Sequence, residues 1–265
     1  NFNELTPYRL IEKLKPDVYV KGGDYKLEEL KEAELVKTWG GKTITIPFLY
    51  GYSTTSLIKR IRLQPQKLDN IKNEKLNINK AVFLDRDGVI NKDTGYITNF
   101  QDFVFLNSVF RSLKAFIKAG YKLVLVTNQS GIARGYFKEE DFLNICSLMN
   151  SKLAENNIFF DAIYYCPHHP NGEIQAFGFE CDCRKPKSGM IKQAVKDLKI
   201  NLKESIIVGD KISDMQAGLE AGITKRYLID EEKENYSKNS FVTESFTSLW
   251  ECSKHHLSIH IKNYE

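Results

Sequence analysis

The apolar run Ala81-Val82-Phe83-Leu84 breaks at Asp85-Arg86-Asp87-Gly88-Val89-Ile90-Asn91, and that break constrains the chain more than any other stretch. A buried strand ending in Asp-x-Asp-Gly delivers two carboxylates to the carboxyl edge of a parallel sheet, where open α/β folds place their ligands. Gly88 lets the chain leave the strand in a tight turn. Because the strand has ended, Asp85 and Asp87 can share one site despite strand alternation. Taken alone, the pattern is equally that of two solvated turn aspartates. Later segments shift the balance toward phosphate chemistry. Lys122 to Val126 is a second buried-strand pattern, ending in Thr127-Asn128-Gln129-Ser130-Gly131, whose hydroxyl and amide donors suit a phosphate. Arg184-Lys185-Pro186 supplies two cations, and Ser205 to Val208 is a third strand running into Gly209-Asp210-Lys211-Ile212-Ser213-Asp214.

Together these four pieces resemble the haloacid dehalogenase (HAD) superfamily of phosphatases. The resemblance implies an α/β fold, a Rossmann-like parallel sheet with helices on both faces. It implies that Asp85 is the nucleophile, forming a phospho-aspartyl intermediate, and that Asp87 protonates the leaving oxygen and later activates water. Mg²⁺ is expected between Asp85, the backbone carbonyl of Asp87, and Asp210, an all-oxygen set suited to that ion. Asp214, one helical turn beyond Asp210, is expected outside the direct ligands. Thr127, the Asn128 backbone and Lys185 are expected to hold phosphoryl oxygens. Arg184 has a planar fork suited to a second anionic group, with Arg134 assisting, and Lys211 is also expected at the substrate. Only about forty residues separate Asp87 from Thr127, too few for a cap domain. The short flap Asp93-Thr94-Gly95-Tyr96, Arg134 beyond the second motif and the cysteine-rich loop between Cys166 and Cys183 are left to grip a small sugar phosphate.

Cys166-Pro167-His168-His169-Pro170 and Cys181-Asp182-Cys183 supply three thiolates and an imidazole, a Cys₃His set suited to structural Zn²⁺ with no open position. The alternative is a disulfide pair. The odd count of 5 cysteines, the absence of a signal peptide and the abundant lysine instead predict a cytoplasmic chain, in which such clusters more often bind metal. His168 is preferred because its spacing from Cys166 mirrors that of Cys181 and Cys183, with His169 the competitor. Cys146 reads as an inert buried thiol. Cys252 and the histidines at 255, 256 and 260 fall in an unpatterned tail that is expected to fray and is given no role.

With this cluster included, residues from about 80 to 228 resemble the D-glycero-D-manno-heptose 1,7-bisphosphate 7-phosphatase family, which acts in nucleotide-activated heptose synthesis. The related histidinol-phosphate phosphatases share the four motifs and the zinc cluster. Their zinc loop is usually shorter than the twelve residues here between His168 and Cys181, which favours heptose.

The first sixty residues differ. A strand over Pro16 to Val20, an amphipathic helix over Leu27 to Thr38 and a strand over Lys42 to Pro47 lead to Gly51-Tyr52-Ser53-Thr54-Thr55-Ser56 and a basic helix, Leu57 to Arg62. Lys21 to Tyr25 and Gly51 to Arg60 resemble the C-terminal part of the nucleotidyltransferase domain of bifunctional ADP-heptose synthases. That family's His-x-Gly-His motif is absent, and the chain starts at Asn1. A fragment of a longer fusion is therefore expected, whose segment docks other pathway enzymes or a missing upstream portion and does not itself transfer nucleotides. The expected layout is 1–62 partial nucleotidyltransferase-like segment, 63–79 linker and 80–265 phosphatase domain. A net charge of +4 and no basic run with interleaved aromatics point away from nucleic acid. No apolar stretch approaches ~18 residues, which excludes a spanning helix.

Overall fold

The computed structural model of the chain describes residues 7–22, 30–46, 79–230 and 239–262, which fall in two units, Asn1–Asn70 and Ile71–Glu265. In the first, α1 (Tyr8–Leu14) precedes β1 (Val18–Gly22), α2 (Lys31–Lys37) and β2 (Lys42–Ile46). β1 and β2 pair in parallel, with Val18 opposite Lys42 and Gly22 opposite Ile46, and α2 buries Ala33 and Val36. The helix is shorter than its amphipathic pattern suggests. Gly23 to Tyr25, Gly51 to Arg62 and the linker up to residue 78 lie outside the described residues.

The second unit carries a six-stranded sheet whose described pairings are all parallel. Its elements are β3 (Ala81–Leu84), α3 (Val109–Lys118), β4 (Lys122–Asn128), α4 (Ser130–Ala133), α5 (Glu139–Ala154), β5 (Ala162–Cys166), α6 (Gly189–Leu198), β6 (Ile206–Gly209), α7 (Ile212–Ala221), β7 (Lys225–Ile229), β8 (Glu244–Phe246) and α8 (Leu249–Lys262). The strand order β5-β4-β3-β6-β7-β8 puts β3 between β4 and β6, so the strands that end in Asp85, Thr127 and Asp210 lie side by side.

Strand alternation divides the apolar runs between two cores. Val82, Leu84, Leu123 and Leu125 face one, with Leu113 and Phe116 of α3. Ala81, Phe83, Val124 and Val126 face the other, with Ile191 and Ala194 of α6 and Ala217 of α7. A parallel sheet covered on both faces needs such continuous apolar strands, and β3 and β6 are buried at every position. Among the described residues no helix is long and apolar enough to cross a membrane.

The C-terminal tail corrects the sequence-based expectation. It forms α8, and its Leu249, Cys252, Ser253 and His256 are buried. These positions follow the i, i+3, i+4, i+7 stripe of a helix face, but with Cys, Ser and His in place of larger apolar residues. His256 has no exposed surface and lies 2.7 Å from the Tyr121 hydroxyl and 3.1 Å from that of Tyr227.

Candidate active site

Three strand ends and one loop build the site. Asp85, at the end of β3, is buried, and its Oδ1 accepts from the Arg86 backbone N–H at 2.8 Å and pairs with Lys185 Nζ at 2.9 Å. Lys185 comes from the loop before α6. Its ammonium also pairs with Asp214 and donates to the Val126 carbonyl at 2.8 Å. Burial works against that charge, but Asp214 and Asp85 outweigh it and hold the lysine pKa above its usual value. The Asn128 side chain clamps this loop through both its amide atoms, donating to the Lys185 carbonyl at 3.0 Å and accepting the Lys185 N–H at 3.0 Å.

Asp210, at the end of β6, faces the same space. Ligand atoms of Asp85, Asp210 and Asp214 lie within 4.8 Å of one another. Burial, then the Asp85 carboxylate, raises Asp210 to about 7, and burial raises Asp214 to about 6 against the opposing pull of Lys185. Asp210 Oδ1 is buried with no hydrogen-bond partner among the described residues. Close carboxylates with an unsatisfied oxygen fit a hard divalent cation such as Mg²⁺. Asp214 is nearer to this cluster than its helical offset suggested, but its oxygens are engaged by Lys185 and by the Lys211 N–H at 3.1 Å.

The Asp87 side chain stands apart from that cluster. Arg86, almost fully buried, reaches it with Nε at 3.2 Å and Nη2 at 2.9 Å, while Asn91 Nδ2 donates at 2.9 Å and Gln129 Nε2 at 3.3 Å. Sequence reading assigned nothing to Arg86, Asn91 or Gln129 here. The only signal was their place inside the two motif loops. Thr127 is buried, and its Oγ1 accepts from Gln129 at 2.9 Å.

The remaining expected substrate residues form two groups. Lys211 bridges Asp93 of the flap, at 3.0 Å, and Asp210, at 3.6 Å. Burial lowers its pKa, but Asp210 and Asp93 more than compensate and raise it. Tyr96 of the flap meets Tyr136 edge-on, with ring centroids 4.7 Å apart. A Cβ on Gly131 would come within 2.2 Å of Phe137 and 2.8 Å of Tyr96, so only glycine admits both rings there. Arg134 and Arg184 gather around His169: Arg134 Nη2 is 3.0 Å from His169 Nε2, and Arg184 donates to the His168 carbonyl at 3.3 Å. Burial and then the two guanidiniums lower the His169 pKa.

Cys166, His168, Cys181 and Cys183 converge, with His168 Nδ1 3.3 Å from Cys183 Sγ and Cys181 Sγ 3.2 Å from Cys183 Sγ. All five cysteines are free. Proximity to Cys166 lowers Cys183 to about 5, and the same proximity together with burial raises Cys166. Three sulfurs and a ring nitrogen at such separations suit tetrahedral Zn²⁺. His168 belongs to this group, whereas the His169 ring lies against Arg134, with Nε2 3.0 Å from Nη2. Cys146 is buried, and burial pushes its thiol up to about 12.

The chain is similar to known phosphatases in sequence and in structure. Residues 80–241 match the family model described as polynucleotide kinase 3 phosphatase. A D-glycero-beta-D-manno-heptose-1,7-bisphosphate 7-phosphatase of Haemophilus influenzae is 51% identical over 152 residues, 57% of this chain and 82% of that protein. An alpha-anomer phosphatase of Campylobacter jejuni is 46% identical over 154 residues, 58% of this chain and 84% of that protein. The solved D,D-heptose 1,7-bisphosphate phosphatase from B. bronchiseptica, complexed with magnesium and phosphate, superposes with a TM-score of 0.59 at 28% identity, covering 68% of this chain and 98% of that one.

Proposed function

Because the chain belongs to the heptose-1,7-bisphosphate 7-phosphatases, phosphoric monoester hydrolases matched by the polynucleotide kinase 3 phosphatase model, we propose that it removes the 7-phosphate of D-glycero-D-manno-heptose 1,7-bisphosphate in a cytoplasmic step of activated-heptose synthesis. The observation that carries the substrate is the 51% identity to the Haemophilus influenzae enzyme across 82% of its length.

Chemistry follows from the residues. A phosphate monoester dianion repels a carboxylate, so attack requires cations and fixed donors. Lys185 and the Arg86 N–H fix Oδ1 of Asp85, leaving Oδ2 to approach phosphorus. The Asp85 oxygen to phosphorus bond forms as the bond to the sugar oxygen breaks, and Asp87 gives that oxygen its proton. Water then attacks the phospho-aspartate, Asp87 takes a proton from it, and phosphate leaves with the Asp85 carboxylate restored. Mg²⁺ held by Asp85, the Asp87 carbonyl and Asp210 supplies charge neutralisation at the transferring group. Zn²⁺ on Cys166, His168, Cys181 and Cys183 has a structural role, ordering the loop that carries His169 and Arg184.

The N-terminal segment is read as the C-terminal part of a nucleotidyltransferase-type domain, supported by its parallel strand pair β1 and β2, with α2 between them in the chain.

Phosphate release from α- and β-heptose 1,7-bisphosphate, histidinol phosphate and fructose 1,6-bisphosphate tests the assignment. Heptose bisphosphate should be turned over with the highest kcat/KM and lose the phosphate on C7. Preference for histidinol phosphate would overturn it.

A further inference from the structure

His169 sits where two donors confront one ring. The Asn171 backbone N–H points at Nδ1 from 3.1 Å, and Arg134 Nη2 lies 3.0 Å from Nε2. A neutral imidazole has one acceptor nitrogen, and both of these neighbours can only donate. If Nδ1 accepts from Asn171, the ring proton is on Nε2 and faces a guanidinium N–H. That contact is satisfied when an anionic oxygen accepts from both. Arg134 Nε is also buried without a partner. Arg184 is also close, with one Nη1 donor spent on the His168 carbonyl. Neither guanidinium has a carboxylate partner among the described residues, although buried or crowded cations are ordinarily paired.

The backbone holds this group together. His169 N–H donates to the Phe177 carbonyl at 3.1 Å and Gly172 N–H to the His169 carbonyl at 2.9 Å, while Ile174 N–H clips the loop to the Ala133 carbonyl at 2.9 Å, directly before Arg134. The donors are therefore preorganised and carry a surplus of positive charge, which suits a phosphate monoester more than a neutral hydroxyl.

We propose that His169 is a specificity-determining residue: through Nε2–H it completes, with Arg134 and Arg184, a pocket for the phosphate that the enzyme does not hydrolyse. The role rests on the bisphosphate reading above and requires no change in the ring's protonation.

The test uses the full chain, replete with zinc and magnesium, and compares kcat/KM for heptose 1,7-bisphosphate with that for heptose 7-phosphate. His169→Ala should lower this ratio about tenfold, as expected for losing one hydrogen bond to a charged group. His169→Gln keeps an N–H donor and should recover much of the ratio. It also serves as the variant to read if His169→Ala loses zinc or fails to fold. A second arm measures calorimetric binding of heptose 1-phosphate, which has no C7 phosphate, and of inorganic phosphate. The sugar 1-phosphate should bind wild type about tenfold more tightly than His169→Ala, and more tightly than inorganic phosphate binds. Equal ratios and equal binding in wild type and variants overturn the role of His169. A wild-type ratio near one, with the binding difference intact, instead overturns the bisphosphate reading and leaves the pocket standing.

Discussion

A Cβ placed on Gly88 would lie 2.5 Å from Oδ2 of Asp210, so the first motif turn and the acidic end of β6 are packed against each other with no room for a side chain. Gly88 also has φ +76°, a conformation that L-residues disfavour. Gly88→Ala should therefore displace Asp210 and weaken Mg²⁺ activation by at least about tenfold, at a stability cost of roughly 1–3 kcal/mol. Mg²⁺ titration of activity, alongside thermal melts, checks this.

With divalent cations chelated, the carboxylate cluster should make the protein less stable as pH rises. Asp210 at about 7 and Asp214 at about 6 both lie above their ordinary 3.8, mainly through burial. A folded-state pKa above the unfolded one gives stability that is full below the unfolded value and lost as pH climbs through the folded one. Between about pH 4 and 7, the span from the ordinary value to the raised one, Asp210→Asn should flatten the decline in Tm seen in chelated wild type. An identical slope in the variant would remove Asp210 as its source.

The zinc cluster predicts a structural dependence. A Cys166→Ser, Cys181→Ser variant should lose about one zinc per chain, and the loop from Cys166 to Cys183 should become open to proteolysis and hydrogen exchange. Full zinc retention by elemental analysis would contradict the assignment.

How much of this was legible beforehand varied with the kind of residue. The strands ending in Asp85, Thr127 and Asp210 were readable because a strand buried on both faces is an unbroken apolar run, and the turn after it is polar. Tail helix α8 was not, because its buried face uses Cys252, Ser253 and His256, which carry no hydropathy signal. The tie from Gln129 to Asp87 was equally hidden, since it joins two loops that only the sheet order brings together, and those from Arg86 and Asn91 depend on how the first motif loop folds back on itself.

His256 gives a test of the tail. Replacing it with Phe removes the ring nitrogens that meet the buried hydroxyls of Tyr121 and Tyr227, so the variant should lose about 1–3 kcal/mol. Denaturant unfolding measures the loss. Unchanged stability would show that α8 is held by its other contacts alone.

In the proposed reaction a carboxylate oxygen of Asp85 attacks phosphorus. The most direct measurement is mass-spectrometric mapping of phosphate on rapidly acid-quenched enzyme turning over heptose 1,7-bisphosphate, in wild type and Asp85→Asn. Phosphate on Asp85 in wild type, its absence in the variant, and a loss of turnover by several orders of magnitude are the predicted results. Near-wild-type turnover in Asp85→Asn, or phosphate trapped on another residue, would contradict the account.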